Sequence, residues 1–202
     1  MKYHRIAPIF SLALCLTANV SPGQSPSIDI DDFEDKENVV VQSGGNEEHY
    51  KINKIEGVTN PVHSGKQSCL IDITTGADYP KTYLYLYGKK LRILPEPGQK
   101  LEGWMKVDPA TSSGVKVNLG VSVVYPQTPT SAQIALKIVE RGEDGWMKYQ
   151  SEDLLECFTK LAEEKRWSTE KMFVQRWMLH LTGTHDLANK RVVVYIDDLV
   201  IK

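Results

Sequence analysis

What most constrains this chain is its punctuation. From residue 28 onward Gly, Pro, Asn or Asp recurs every eight to twelve residues, with short β-branched or aromatic runs between. That rhythm belongs to an all-β sandwich or jelly roll, because each punctuating residue turns the chain after one strand length. The runs predict strands over 28–33, 38–42, 49–58, 67–74, 81–87, 99–107, 114–125, 132–140, 145–150, 171–182 and 190–201. Alternation is clean in two of them. In "SCLIDIT", Cys69, Ile71 and Ile73 share a face; in "VKVNLGVSVVY", Val115, Val117, Leu119, Val121 and Val123 do. Lys116, Asn118, Gly120 and Ser122 take the other side of the second run, as a half-solvated strand requires.

One segment breaks the pattern. Leu154, Leu155, Phe158, Leu161 and Ala162 recur at helical spacing, which predicts an amphipathic helix over 152–166. Ser151 suits the N-cap, and Asp153 and Lys165 suit the two ends of the helix dipole. The helix is expected over an edge or end of the sandwich, where it shields backbone groups. A helix that contacts a partner is the alternative.

The chain begins like an exported protein. Lys2 and Arg5 precede the uncharged apolar stretch from Ile6 to Thr17, and small or turn-forming residues follow to Gly23. This reads as a signal peptide over 1–23, too short to span a bilayer, then a leader over 24–27 and one domain over 28–202. Leu14 before Cys15 disfavours lipid attachment there. The expected location is secreted or periplasmic. The precursor has 24 basic and 26 acidic side chains; loss of Lys2 and Arg5 leaves a net charge of −4. A mildly acidic surface argues against nucleic acid or an anionic membrane as partner. Cys69 and Cys157 remain after cleavage, either as a disulfide or as two separate small hydrophobes.

Five short motifs then recur in a familiar order: "DDFE" (31–34), "HSGKQSCLIDI" (63–73), "LPEPGQKLEGWMKV" (94–107), "GWMKYQ" (145–150) and "VVVYIDDLVIK" (192–202). Their order and spacing resemble the carbohydrate-binding modules with a galactose-binding-like jelly-roll fold, the xylan- and glucan-binding type. The resemblance implies two antiparallel sheets, a hollow face that holds a sugar chain, and a structural calcium tying the first strand to the last. Carried over, it offers calcium the Glu34 carboxylate, carbonyl oxygens around Lys66 and Ser68, and Asp197 or Asp198. Carboxylates mixed with carbonyls suit that hard cation. The alternative is that Asp197 and Asp198 simply cap and solvate a last strand. The chain departs from the family at residues 152–167. Whether that insert covers the hollow face decides whether the groove stays open.

Sugar sites pair flat rings with amides and charged groups. Tyr83, Tyr85 and Tyr87 share one face of a strand with Leu84 and Leu86 opposite, either as a binding stripe or as a rim over the core. Trp104, flanked by Glu102 and Lys106, is a further candidate platform. Asn118 and Tyr125 are expected along the hollow strand. Trp146 and Trp177 are expected inside the sandwich, and Trp167 as an anchor for the helix.

Motifs for catalysis are missing: the sequence has no G-x-S-x-G, H-E-x-x-H or Gly-rich phosphate loop. His49, His63, His180 and His185 are not at metal-ligand spacing. Glu102 and Glu140, expected on adjacent strands, offer a conceivable carboxylate pair for glycoside cleavage. The expected function is non-catalytic binding of a polysaccharide or oligosaccharide. A protein-interaction or structural sandwich is the alternative, and a glycan-cleaving enzyme the third reading.

Overall fold

The computed structural model describes residues 27–34, 42–44, 50–76, 84–88, 90–112, 114–128, 131–183 and 188–202, with backbone alone for 42–44, 84, 85, 87, 182 and 183. The expected signal peptide, most of the leader, Cys15, Tyr83, His49 and His185 lie outside these residues.

Among the described residues, twelve strands form two antiparallel sheets. They are β1 (Ile28–Asp31), β2 (Gln42–Gly44), β3 (Tyr50–Val58), β4 (Ser68–Thr75), β5 (Leu84–Tyr87) and β6 (Leu101–Val107), then β7 (Val115–Val124), β8 (Ser131–Ala135), β9 (Lys137–Arg141), β10 (Trp146–Gln150), β11 (Phe173–Gly183) and β12 (Arg191–Ile201). The larger sheet runs β3-β4-β12-β6-β10-β9, with β1 also on β12; the smaller runs β2-β5-β11-β7-β8. This is the expected jelly-roll sandwich.

β12 organises the larger sheet. Its first half, Arg191 to Ile196, pairs with β4, and its end, Leu199 to Ile201, pairs with β1. Asp197 and Asp198 fall in the gap between the two partners. There β12 also breaks register with β6 between Asp197 and Val200, and Asp198 takes the left-handed φ of 52°. A bulge of this kind leaves backbone unpaired and re-aims side chains, so the gap needs other donors.

Alternation decides what fills the space between the sheets. Cys69, Ile71 and Ile73 from β4, Leu119, Val121 and Val123 from β7, and Trp177 and Leu179 from β11 are all buried there. Gly103 marks a close approach: a Cβ at that position would lie 2.3 Å from a Leu199 methyl. Cys69 and Cys157 are both free thiols, one buried in this core and one half-buried on the helix.

Three expectations need correction. The single strand expected over 132–140 is two strands on different sheets, β8 on β7 and β9 on β10. Leu136 lies at the corner, its N–H donating to the Leu119 carbonyl. The helix α1 spans Leu154–Lys165, and its cap is Asp153, which accepts from the Glu156 N–H, rather than Ser151. Ser151 is occupied elsewhere: its Oγ accepts from the Leu101 N–H and its own N–H reaches the Leu101 carbonyl. Trp146 is buried, yet it pairs with Lys106 on the outer side of the larger sheet, while its neighbours Met147 and Tyr149 turn to the core.

The helix joins the core through Leu154, Phe158 and Ala162, with Leu161 packed against them. Beyond it, Trp167 stacks on Tyr125, ring centroids 5.4 Å apart. The insert therefore contributes to the core between the sheets. No helix among the described residues is long and apolar enough to cross a membrane.

Candidate functional site

The segment from residue 61 to 67 folds over the gap in β12. The Asp197 carboxylate is fully buried, and its Oδ2 accepts from the N–H groups of His63 (2.9 Å) and Ser64 (3.3 Å) while Oδ1 takes the Asp198 N–H. Burial pushes this carboxyl up to about 6, with Asp198 adding to the rise and the N–H bonds opposing it. Asp198 holds the same segment through His63 Nδ1 and Ser64 Oγ, each at 2.7 Å. At the other end of the segment Glu34 Oε1 accepts the N–H groups of Lys66 (2.7 Å) and Gln67 (3.4 Å). Gly65 is required there, because its φ is +63° and a Cβ would lie 1.9 Å from that same Glu34 oxygen. Ser68 Oγ donates to the Pro61 carbonyl at 2.6 Å and pins the base of the segment.

The motifs expected to lie together at the joined ends of the domain are therefore together. As placed, their engaged carboxylate oxygens take N–H donors. Glu34 and Asp197 face main-chain N–H groups, whose positive ends repel a cation, instead of sharing it with carbonyl oxygens. Among the described residues no group of three or more His, Cys, Asp or Glu side chains is placed to hold a metal ion. As placed, Glu34, Lys66, Ser68, Asp197 and Asp198 form a latch of carboxylates and amides.

The expected sugar-binding residues divide between two surfaces, which corrects the single face drawn from the sequence. On the outer side of the smaller sheet, residue 85, His180 and Asn118 lie in one cross-strand row. The next rows hold residue 87, Met178, Gly120 and Ala135, and then Arg176, Ser122 and Gln133. A depression of about 60 Å³ lies here, lined from β7, β8 and β11 alone, so α1 does not line it. Asn118 and Gln133 are exposed, and burial pushes the His180 imidazole down, which keeps it neutral near pH 7. Tyr125 does not join them. It shares the parity of Val121 and Val123, is buried, and stacks on Trp167.

Trp104 and Glu102 stand on the outer side of the larger sheet, across the molecule from that row. Gly103 and Met105 between and beside them face the core. Glu102 accepts from Gln150 Nε2 at 2.7 Å and meets Lys148 Nζ at 3.1 Å and Lys202 Nζ at 3.2 Å. Burial raises its pKa, but these three donors outweigh burial and hold the carboxyl below its usual range. Glu140 lies on the same side of the same sheet, across from Lys148, with β10 between it and β6. The two acids do not face each other across a cleft, as glycoside cleavage requires.

His63 is the residue that sequence reasoning missed. Its ring stacks on Trp104 at 3.8 Å between centroids and meets Trp146 edge-on at 5.7 Å. It ties the latch to the indole surface. Its place at the head of "HSGKQS" was the available signal.

No protein-family model and no curated protein matches the sequence. Solved structures do match in fold. One belongs to a study of the promiscuous specificity of carbohydrate-binding modules from the β-sandwich superfamily; it aligns with TM-score 0.57 at 11% identity over 85% of this chain and 60% of that one. The CBM22-1–GH10 modules of endo-1,4-β-D-xylanase 10B from Clostridium thermocellum, solved with xylohexaose, align with TM-score 0.51 at 14% identity over 87% of this chain and 28% of theirs. The glycoside hydrolase domain of Endo-D from Streptococcus pneumoniae aligns with TM-score 0.51 at 16% identity over 80% of this chain and 21% of that one. The chain thus spans 60% or less of the length of these structures. Its fold is a β-sandwich shared with these structures.

Proposed function

We propose that this protein binds a polysaccharide or oligosaccharide without chemical conversion, on the outer face of the smaller sheet, after export directed by residues 1–23. The observation that carries this reading is the row of residue 85, His180 and Asn118, with Gln133 two rows along, around a depression that no α1 residue lines. Sugar hydroxyls both donate and accept, and a neutral imidazole and two amides match them. The tyrosine alternation of β5 supplies ring-bearing positions in register with this row. Structures of the same fold include modules solved with xylohexaose, which supports a glycan chain as the ligand class.

Affinity electrophoresis through gels containing xylan, mixed-linkage glucan or mannan tests the reading. We expect retardation by at least one polymer, weakened about thirtyfold by the double variant Asn118→Ala, Gln133→Ala if each lost hydrogen bond contributes about 1 kcal/mol. Retardation by none of them would leave the interaction sandwich, with α1 as its contact, as the better reading.

A further inference from the structure

A second cleft, of about 350 Å³, opens on the larger sheet where β1 and β12 both break register, β1 between Asp29 and Asp31 and β12 between Asp197 and Val200. That volume falls within the range of small-molecule sites. Trp104 lines it, held in place by the His63 ring. Four carboxylates, those of Asp29, Asp32, Glu102 and Asp198, line it against two ammonium groups, those of Lys148 and Lys202. Both lysines lie against the same Glu102 oxygen, so the cleft is divided in character. At one side, donors and an acceptor stand together around Glu102. At the other, toward β1 and Asp198, carboxylates dominate.

An indole next to an excess of negative charge attracts a cation. A bare alkylammonium would gain nothing from Lys148 and Lys202, whereas a hydroxyl can accept from a lysine and donate to Glu102. The ligand that uses both halves carries a protonated amine and several hydroxyls on one compact ring. We propose that this cleft binds an amino sugar, a glucosamine-type unit with a free amine, through Trp104, Asp32 and the Glu102 lysine pair. The site is separate from the face of the smaller sheet and does not depend on it.

The test is calorimetric titration of the whole chain, at low salt and mildly acidic pH, with short glucosamine oligomers and with their N-acetylated counterparts. We expect the free-amine oligomers to bind at least tenfold more tightly than the acetylated ones, and added salt to weaken them. Trp104→Ala should weaken that binding about tenfold. Asp32→Asn should weaken it about threefold. Asp32 is exposed, and an asparagine keeps the Oδ1 acceptor that meets the Glu34 N–H, so this variant reads charge even if the tryptophan variant fails to fold. Equal affinity for both oligomers, no binding of either, or binding indifferent to Asp32→Asn overturns the proposal.

Discussion

The imidazole of His63 lies against the indole of Trp104, ring planes 17° apart, while its Nδ1 sits 2.7 Å from Asp198. One side chain thereby joins the segment crossing β12 to the outer surface of the larger sheet.

Replacing His63 tests that bridge. His63→Ala removes a stacked ring pair and a hydrogen bond, each about 1 kcal/mol, so the chain should lose about 2 kcal/mol in urea unfolding. His63→Phe should recover roughly half by keeping the stack. A loss below about 0.5 kcal/mol for alanine would show that the bridge does not stabilise the fold.

The ion pair of Asp72 and Arg191 predicts a pH dependence. Arg191 approaches both Asp72 oxygens, at 2.6 to 3.1 Å, and holds the carboxyl below its usual value, with Asn53 assisting. A depressed folded pKa adds stability that is present above the unfolded value near 4 and is lost as pH falls through the folded value. Asp72→Asn should therefore cost about 1 kcal/mol at pH 7, a modest figure because the guanidinium is exposed, and the gap should close below pH 4. A difference constant from pH 7 to pH 3 would contradict it.

The latch at Glu34 and Asp197 predicts indifference to calcium. Millimolar calcium and excess chelator should give the same melting temperature, because N–H groups already occupy Glu34 Oε1 and both Asp197 oxygens. A rise of several degrees with calcium would mean that the segment turns its carbonyls inward around the ion. Gly65→Ala, by contrast, should destabilise by more than 1 kcal/mol in either condition, through its left-handed φ and the Glu34 oxygen beside it.

The ends of α1 give a pair of opposed effects. Asp153→Ala removes the bond to the Glu156 N–H and should cost about 1 kcal/mol. Arg166 closes the helix at φ 56°, a conformation glycine adopts without strain, so Arg166→Gly should stabilise by about 0.5 kcal/mol. Thermal melts of both variants read the signs directly.

The local calculus of the sequence was reliable where burial depends on parity. The alternation of Ile71, Ile73, Leu119 and Val121 told which side chains meet between the sheets, and the spacing of Leu154, Phe158 and Ala162 told where the helix turns inward. It failed at breaks. Nothing in "AQIALKIVE" marks the corner at Leu136, because the residues on both sides are equally fit for strands. Ser151 was a plausible cap by chemistry, and only its engagement with Leu101 gave the cap to Asp153.

The site shows the same limit. Candidate rings and amides were legible as residue types, and Asn118 stands exposed as its parity requires. Parity within one strand, however, says nothing about which of two sheets that strand joins. Trp104 and Asn118 alternate alike, yet β6 and β7 lie in different sheets, so their outward faces look away from each other.

The sequence alone determined a two-sheet β protein, its buried parities and the helix α1, because these follow from strand period, helix period and turn chemistry; the meeting of its first and last motifs was expected from the family resemblance. Tertiary structure decided the sheet membership of each strand, the break in β12 that turns Asp197 toward His63, and the separation of the two candidate surfaces. Those depend on pairing between separate segments, more than a hundred residues apart for β1 with β12 and for Asp197 with His63, and such pairing leaves no local trace in either strand.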